Sequence, residues 1–196
     1  IEALKKAINP NTAAFIVEPV QGEGGIIIPP DGYLAKVGSI CNDNDVLFVA
    51  DEIQSGFGRT GKMFGCNHDG AIPDLLILGK ALGGGLVISA VVGSREVMGI
   101  LEPGDHGSTF GGNPLSCAVS RESLRIMRDE RLDRKAEDLG GYFEEKLKAI
   151  AAKSLHIKEI RVRGLWIAIE VWHSGPDAHE FCRRLNTEGI LCKETR

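Results

Sequence analysis

Three short apolar runs, each giving way to charged residues and glycine, constrain the fold of this chain more than any other feature. They are Ala13-Ala14-Phe15-Ile16-Val17, Val46-Leu47-Phe48-Val49-Ala50 and Leu75-Leu76-Ile77-Leu78. Each is continuous rather than alternating, which predicts strands buried on both faces of a parallel sheet. The first runs into Glu18-Pro19-Val20-Gln21-Gly22-Glu23-Gly24-Gly25 and the second into Asp51-Glu52-Ile53-Gln54-Ser55-Gly56. The third ends in Gly79-Lys80-Ala81-Leu82-Gly83-Gly84-Gly85. Glycine makes up 25 of 196 residues and clusters between positions 22 and 112, against a usual share of roughly 7%. Glycine clustered beside apolar strands predicts loops whose backbone closely approaches a ligand or another stretch of chain.

Between the first two runs, Tyr33-Leu34, Val37 and Ile40-Cys41 carry helical spacing after the turn Pro29-Pro30-Asp31-Gly32. Strand, helix, strand in that order predicts an α/β layer architecture. A fourth run, Ile88 to Val92, follows the third too closely for a parallel crossover, which needs about a dozen residues. It is expected to be antiparallel or at an edge. The second half changes character. Leu132, Ala136, Leu139, Phe143, Leu147 and Ile150 recur at intervals of three and four, predicting one long amphipathic helix with a solvated charged face. Ile160 to Val171 reads as two extended pieces bent at Gly164, followed by a helix from Asp177 to Glu188 and a last strand around Ile190. A junction near residues 128 to 133 divides the chain into a first domain, 1–130, and a second, 131–196.

The formal charge of −4, with both signs mixed along the chain, argues against a nucleic-acid or anionic-membrane surface. No apolar run approaches the roughly 20 residues a membrane span requires, and no signal peptide opens the chain. Five dispersed cysteines (Cys41, Cys66, Cys117, Cys182, Cys192) contain no C-x-x-C pair. They predict reduced thiols, a cytoplasmic or mitochondrial-matrix setting, and no metal site. The chain starts at Ile1 rather than Met and stops just after a strand-like run, so a fragment is expected.

In open α/β sheets, ligands sit beyond the carboxyl ends of parallel strands. Glu18, Asp51 and Lys80 are therefore expected at one edge. Each has an ordinary reading alone: the lysine a solvated strand end, the aspartate a helix cap. Together they favour a site. A lysine at the rim of an apolar sheet is expected to be partly desolvated, which frees its amine to attack a carbonyl. An aspartate beside it can keep a heteroaromatic ring nitrogen protonated, so that the ring becomes an electron sink. A lysine imine with an acidic partner for a pyridinium is what pyridoxal-phosphate chemistry requires. Gly107-Ser108-Thr109-Phe110-Gly111-Gly112-Asn113-Pro114, just ahead of a helix, offers hydroxyls and backbone N–H groups for a phosphate, although alone it reads as an N-capped turn.

The strings Val17 to Gly25 (VEPVQGEGG), Asp51 to Gly61 (DEIQSGFGRTG), Leu78 to Gly85 (LGKALGGG) and His106 to Pro114 (HGSTFGGNP) resemble the signature segments of class III aminotransferases. These are fold-type I enzymes that use pyridoxal 5'-phosphate. Pro73 to Lys80 and Gly189 to Thr195 bring the chain nearest the ornithine branch of that class, with the acetylornithine branch as the alternative. The resemblance implies the C-terminal part of a large, mostly parallel α/β domain, joined to part of an α+β small domain. It also implies that Lys80 carries the cofactor as an imine and shuttles a proton, that Asp51 pairs with the pyridine nitrogen, and that Gln54 lies beside the ring. Thr109, with Ser108, would reach the phosphate of a neighbouring subunit's cofactor, which makes the expected partner a second copy in a homodimer. Glu23 resembles a gate carboxylate, and Glu18 sits near the substrate. Arg59, within the second motif, is expected to make a structural ion pair.

Two departures stand out. Gly85-Leu86-Val87-Ile88-Ser89 lacks the proline family members place there and is one residue short of the ornithine pattern. The family's N-terminal half and its gate arginine are absent, so Glu23 is expected to lack a switch partner and the chain alone to be inactive. A nucleotide-binding module is the competing reading. No G-x-G-x-x-G follows the first run, and Gly79-Lys80 lacks P-loop spacing. A non-catalytic interaction piece is the third.

Overall fold

The computed structural model describes residues 1–172 and 174–195. Helix α1 (Glu2–Ala7) precedes a four-stranded sheet of β1 (Ala14–Val17), β2 (Leu47–Asp51), β3 (Leu75–Leu78) and β4 (Ala90–Gly93), in that spatial order. β1, β2 and β3 are parallel, and β4 is antiparallel on the outer edge of β3. Only a short loop separates β3 from β4, so a reversed strand was the geometry available. Register places Val17 beside Ala50 and Asp51 beside Ile77. The Glu18, Asp51 and Lys80 loops therefore leave one edge of the sheet.

Helix α2 (Tyr33–Asp43) is the crossover between β1 and β2. Its buried stripe of Leu34, Val37 and Cys41 packs with Leu4, Val46, Phe48 and Cys66. Full burial of a side chain such as Val37 or Phe48 contributes about 1.5–3 kcal/mol, and those two are 0% and 1% exposed. The helix begins at Gly32, which has no capping side chain of its own. Asp69, far along the chain, supplies the cap by accepting from the N–H groups of Gly32 (2.9 Å) and Leu34 (2.8 Å).

Burial of the strands departs from the expectation. β2 alone is enclosed, whereas β1 alternates between half-buried and exposed, with Ile16 60% exposed. β1 is an edge strand, and among the described residues no layer covers one of its faces.

After α3 (Arg95–Met98), helices α4 (Pro114–Asp129) and α5 (Leu132–Ala151) follow almost without a break. Arg131, in the left-handed region at φ 53, turns the chain between them. A second sheet consists of β5 (Ile157–Arg163) and β6 (Trp166–Val171), an antiparallel hairpin bent at Gly164 as its sequence predicts. α5 lies against β5, and Gly140 of α5 meets the Gly164 carbonyl so closely that a Cβ there would lie 2.1 Å from the oxygen. Helix α6 (Ala178–Thr187) is capped by Asp177, whose carboxylate accepts from Glu180 N–H at 2.8 Å. No strand forms around Ile190. Ile190 N–H donates to Leu185 O of α6 (2.9 Å), closing the end of the helix after left-handed Gly189. Among the described residues, no helix is long and apolar enough to cross a membrane.

Candidate active site

Beyond β2, two neighbouring carboxylates do different work. Glu52 is fully buried and accepts from Ser55 Oγ (2.6 Å), Gly65 N–H (2.8 Å) and Cys66 N–H (2.8 Å). Three donors compensate a charge that would be expensive to bury alone. They tie the loop after β2 to the short 3-10 turn Gly65–His68. Burial, and then the Glu52 charge, pushes the Cys66 thiol up to about 12, leaving it protonated. Asp51, one residue earlier, stays at the strand end, where its Oδ1 accepts from Ile53 N–H at 3.1 Å.

Lys80 opens a short 3-10 turn, Lys80–Gly83, and is itself in the left-handed region at φ 44. A non-glycine residue held there is strained, and such strain gathers at functional sites. Gly84, just after this turn, serves packing: a Cβ on it would lie 1.9 Å from Ser123 Oγ of α4. Lys80 is exposed, contrary to the desolvated lysine expected, because it faces an open cleft rather than the sheet interior. The cleft has a volume of about 790 Å³ and is walled by Gln54, Arg59 and Lys80 from the first sheet's loops and by Leu132, Leu165 and Trp166 from beyond α4.

The Glu23 loop closes on the same region. Gln21 and Ile27 bridge its base, and Glu18 Oε2 accepts from Gly22 N–H at 3.0 Å. Gly22 leaves room for Trp166 and Gln54, since a Cβ there would come within 2.8 Å of the indole and 3.0 Å of the amide. Arg161 of β5 donates from Nε (3.2 Å) and Nη2 (2.9 Å) to the Gly25 carbonyl while also pairing with Glu159 and Glu170. Glu23 pairs with a cation within the chain: Lys193 Nζ, in the segment after α6, lies 2.8 Å away. The hydrogen bond and charge of Lys193 hold the Glu23 carboxyl below its ordinary range, with smaller help from Gln54 and Lys80. Both groups are exposed, so the pair adds little stability.

Lys80, Gln54 and Glu23 thus come together, and Asp51 stands at the adjoining strand end. Glu18 shapes the Glu23 loop. Ser108 and Thr109 do not line the cleft. Their segment is exposed, Ser108 Oγ accepts from Gly111 N–H (3.0 Å), and Asn113 caps α4 through Ser116 N–H (2.9 Å). Arg59 makes no ion pair among the described residues. It donates to Leu165 O (3.3 Å), and its own carbonyl accepts from Leu165 N–H (3.1 Å), seating the hairpin turn. Sequence reasoning missed Glu52, Arg161, Trp166 and Lys193. Glu52 carried a signal, as the second acid of a strand-end pair, but the other three act across distances no local pattern reveals.

The whole chain, residues 1–196, matches the family model "Aminotransferase class-III". It is 55% identical over 196 residues to the ornithine aminotransferase of Bacillus subtilis strain 168 and 53% identical to that of Brevibacillus brevis, covering 48% of each. The chain therefore spans about half the length of these curated relatives. Among solved structures, the ornithine aminotransferase of Toxoplasma gondii superposes with a TM-score of 0.96 at 48% identity, covering 100% of this chain and 46% of that one. The acetylornithine aminotransferase of Elizabethkingia anophelis gives 0.92 at 43% identity, covering 99% and 49%.

Proposed function

Because this chain belongs to the class III aminotransferases, we propose that it supplies the lysine-bearing half of an ornithine δ-aminotransferase site. The protein would move ornithine's δ-amino group to 2-oxoglutarate in two half-reactions, yielding glutamate 5-semialdehyde and glutamate. Identities of 51–55% to curated ornithine aminotransferases support that substrate. One observation carries the reading: a strained, solvent-facing Lys80 in a cleft shared with Gln54, with the Glu23 carboxylate near both and Asp51 one strand over.

The donor set fits pyridoxal 5'-phosphate. It offers a primary amine, a neighbouring carboxylate, a ring-side amide and an open volume of about 790 Å³. When bound, that cofactor supplies an electron sink that makes the amine-bearing carbon acidic. Lys80 Nζ would hold it and afterwards carry the proton to and from the substrate carbon. The Asp51 carboxylate would keep a proton on the ring nitrogen, and the Gln54 amide would orient the ring. Ser108 and Thr109 would donate to phosphate across a homodimer interface. Glu23 would meet the cationic end of the diamino acid, with Glu18 setting its loop. Residues 1–130 would form part of the cofactor-binding large domain and 131–196 part of the small domain.

The test is to mix the chain with pyridoxal 5'-phosphate, reduce with borohydride and map the peptides. A phosphopyridoxyl mass concentrated on Lys80 and lost in Lys80→Ala is expected. Label spread evenly over surface lysines, or unchanged in Lys80→Ala, would overturn the assignment.

A further inference from the structure

Helix α6 and the segment that follows it run back alongside one another and are fastened at two points. At the near end Ile190 N–H donates to Leu185 O (2.9 Å). At the far end His179 Nδ1 lies 3.2 Å from Glu194 Oε1. His179, Cys182 and Leu185 follow at three-residue steps and so share one face of the helix. Cys182 is the residue midway between the two fastenings on the helix, and Cys192 is midway on the returning segment.

The chemistry agrees with this register. Burial first, and then the adjoining Cys192 thiol and Glu194 carboxylate, pushes Cys182 up to about 11. The Glu194 carboxyl is lowered by backbone and His179 contacts, with a smaller contribution from Cys182. Cys192 is exposed and Cys182 half-buried, while Cys41 and Cys66 are buried with the α2 core and Cys117 lies on α4.

We propose that Cys182 and Cys192 form a dithiol site that closes to an intramolecular disulfide by exchange with a small disulfide such as oxidised glutathione. Exposed Cys192, as thiolate, attacks one glutathione sulfur. The glutathione S–S bond breaks, and the first glutathione leaves as a thiolate that takes up a proton. Cys182 passes its proton to Glu194 or water and attacks the Cys192 sulfur of the mixed disulfide, expelling the second glutathione. Two cysteine thiols are oxidised, and one disulfide is reduced to two thiols. The bond ties down the residue next to Lys193, so the oxidised chain keeps the Lys193 ammonium beside Glu23.

The folded chain is incubated with oxidised glutathione, quenched with an alkylating agent and digested without reductant. A linked peptide pair joining Cys182 to Cys192 is expected, at a yield independent of protein concentration and reversed by dithiothreitol. Cys182→Ser should stop at a stable glutathione adduct on Cys192, and Cys192→Ser should leave Cys182 unmodified. Should a variant fail to fold, the wild-type map alone decides. Cys192 keeping its glutathione while Cys182 is alkylated, or Cys192 linked to Cys117 or to a second chain, would overturn the proposal.

Discussion

Gly140 and Gly141 are neighbours in α5 with opposite surroundings, and replacing each by alanine tests how the second sheet is seated. At Gly141 a Cβ meets nothing within 4 Å, whereas at Gly140 it would lie 2.1 Å from Gly164 O and 2.6 Å from its carbonyl carbon. Alanine is favoured over glycine in a helix interior by about 1 kcal/mol at either position. Nothing opposes that gain at Gly141. At Gly140 the obstacle is backbone, and it cannot retreat, because Gly164 is already wedged against the Thr60–Gly61 backbone. Overpacking costs roughly 1–3 kcal/mol. A contact this far inside van der Waals distance belongs at the upper end, so Gly140→Ala should destabilise by about 2 kcal/mol after the helix gain is subtracted. For a chain of this size each kcal/mol moves the melting point by about 2–4 °C. Far-ultraviolet circular dichroism should therefore show Gly141→Ala melting about 2–4 °C above the parent and Gly140→Ala about 4–8 °C below it. Two variants shifting in the same direction would refute the argument that Gly140 is a packing glycine.

Glu52→Gln keeps the volume of the buried carboxylate but turns an –NH2 toward a backbone N–H and removes the charge that three donors share. Urea unfolding should register a loss of about 3 kcal/mol, and a change within about 0.5 kcal/mol would sink this role. Contacts from Lys158, then Arg161, lower the Glu170 carboxyl from 4.5 to about 2. A depressed carboxyl contributes stability above its unfolded value and loses it as acid protonates the folded form. The unfolding midpoint should therefore fall more steeply between pH 4.5 and about 2 in the parent than in Glu170→Gln. Equal slopes would show that the β5–β6 ion network is inert.

Local pattern was enough for the elements whose signals are local. The periodicity from Leu132 to Ile150 became α5, the Gly164 bend became the β5–β6 hairpin, and the crowding of Ile88 against β3 forced β4 to reverse. The placement of Glu18, Asp51 and Lys80 at one edge was legible for the same reason, since strand ends on one edge of a sheet can be counted from the apolar runs.

What the sequence could not show was anything set by an approach from far along the chain. Asp69 caps α2, Arg161 clamps the Glu23 loop, and the segment around Ile190 folds back on α6 rather than extending. Lys80 has the same lesson in its exposure. Its identity and place at the sheet edge follow from residue order, because strand, turn and helix preferences act over a few residues. Whether it faces an apolar interior or an open cleft was decided only when Trp166 and Leu132 came to wall the opposite side, because burial depends on which distant surfaces meet.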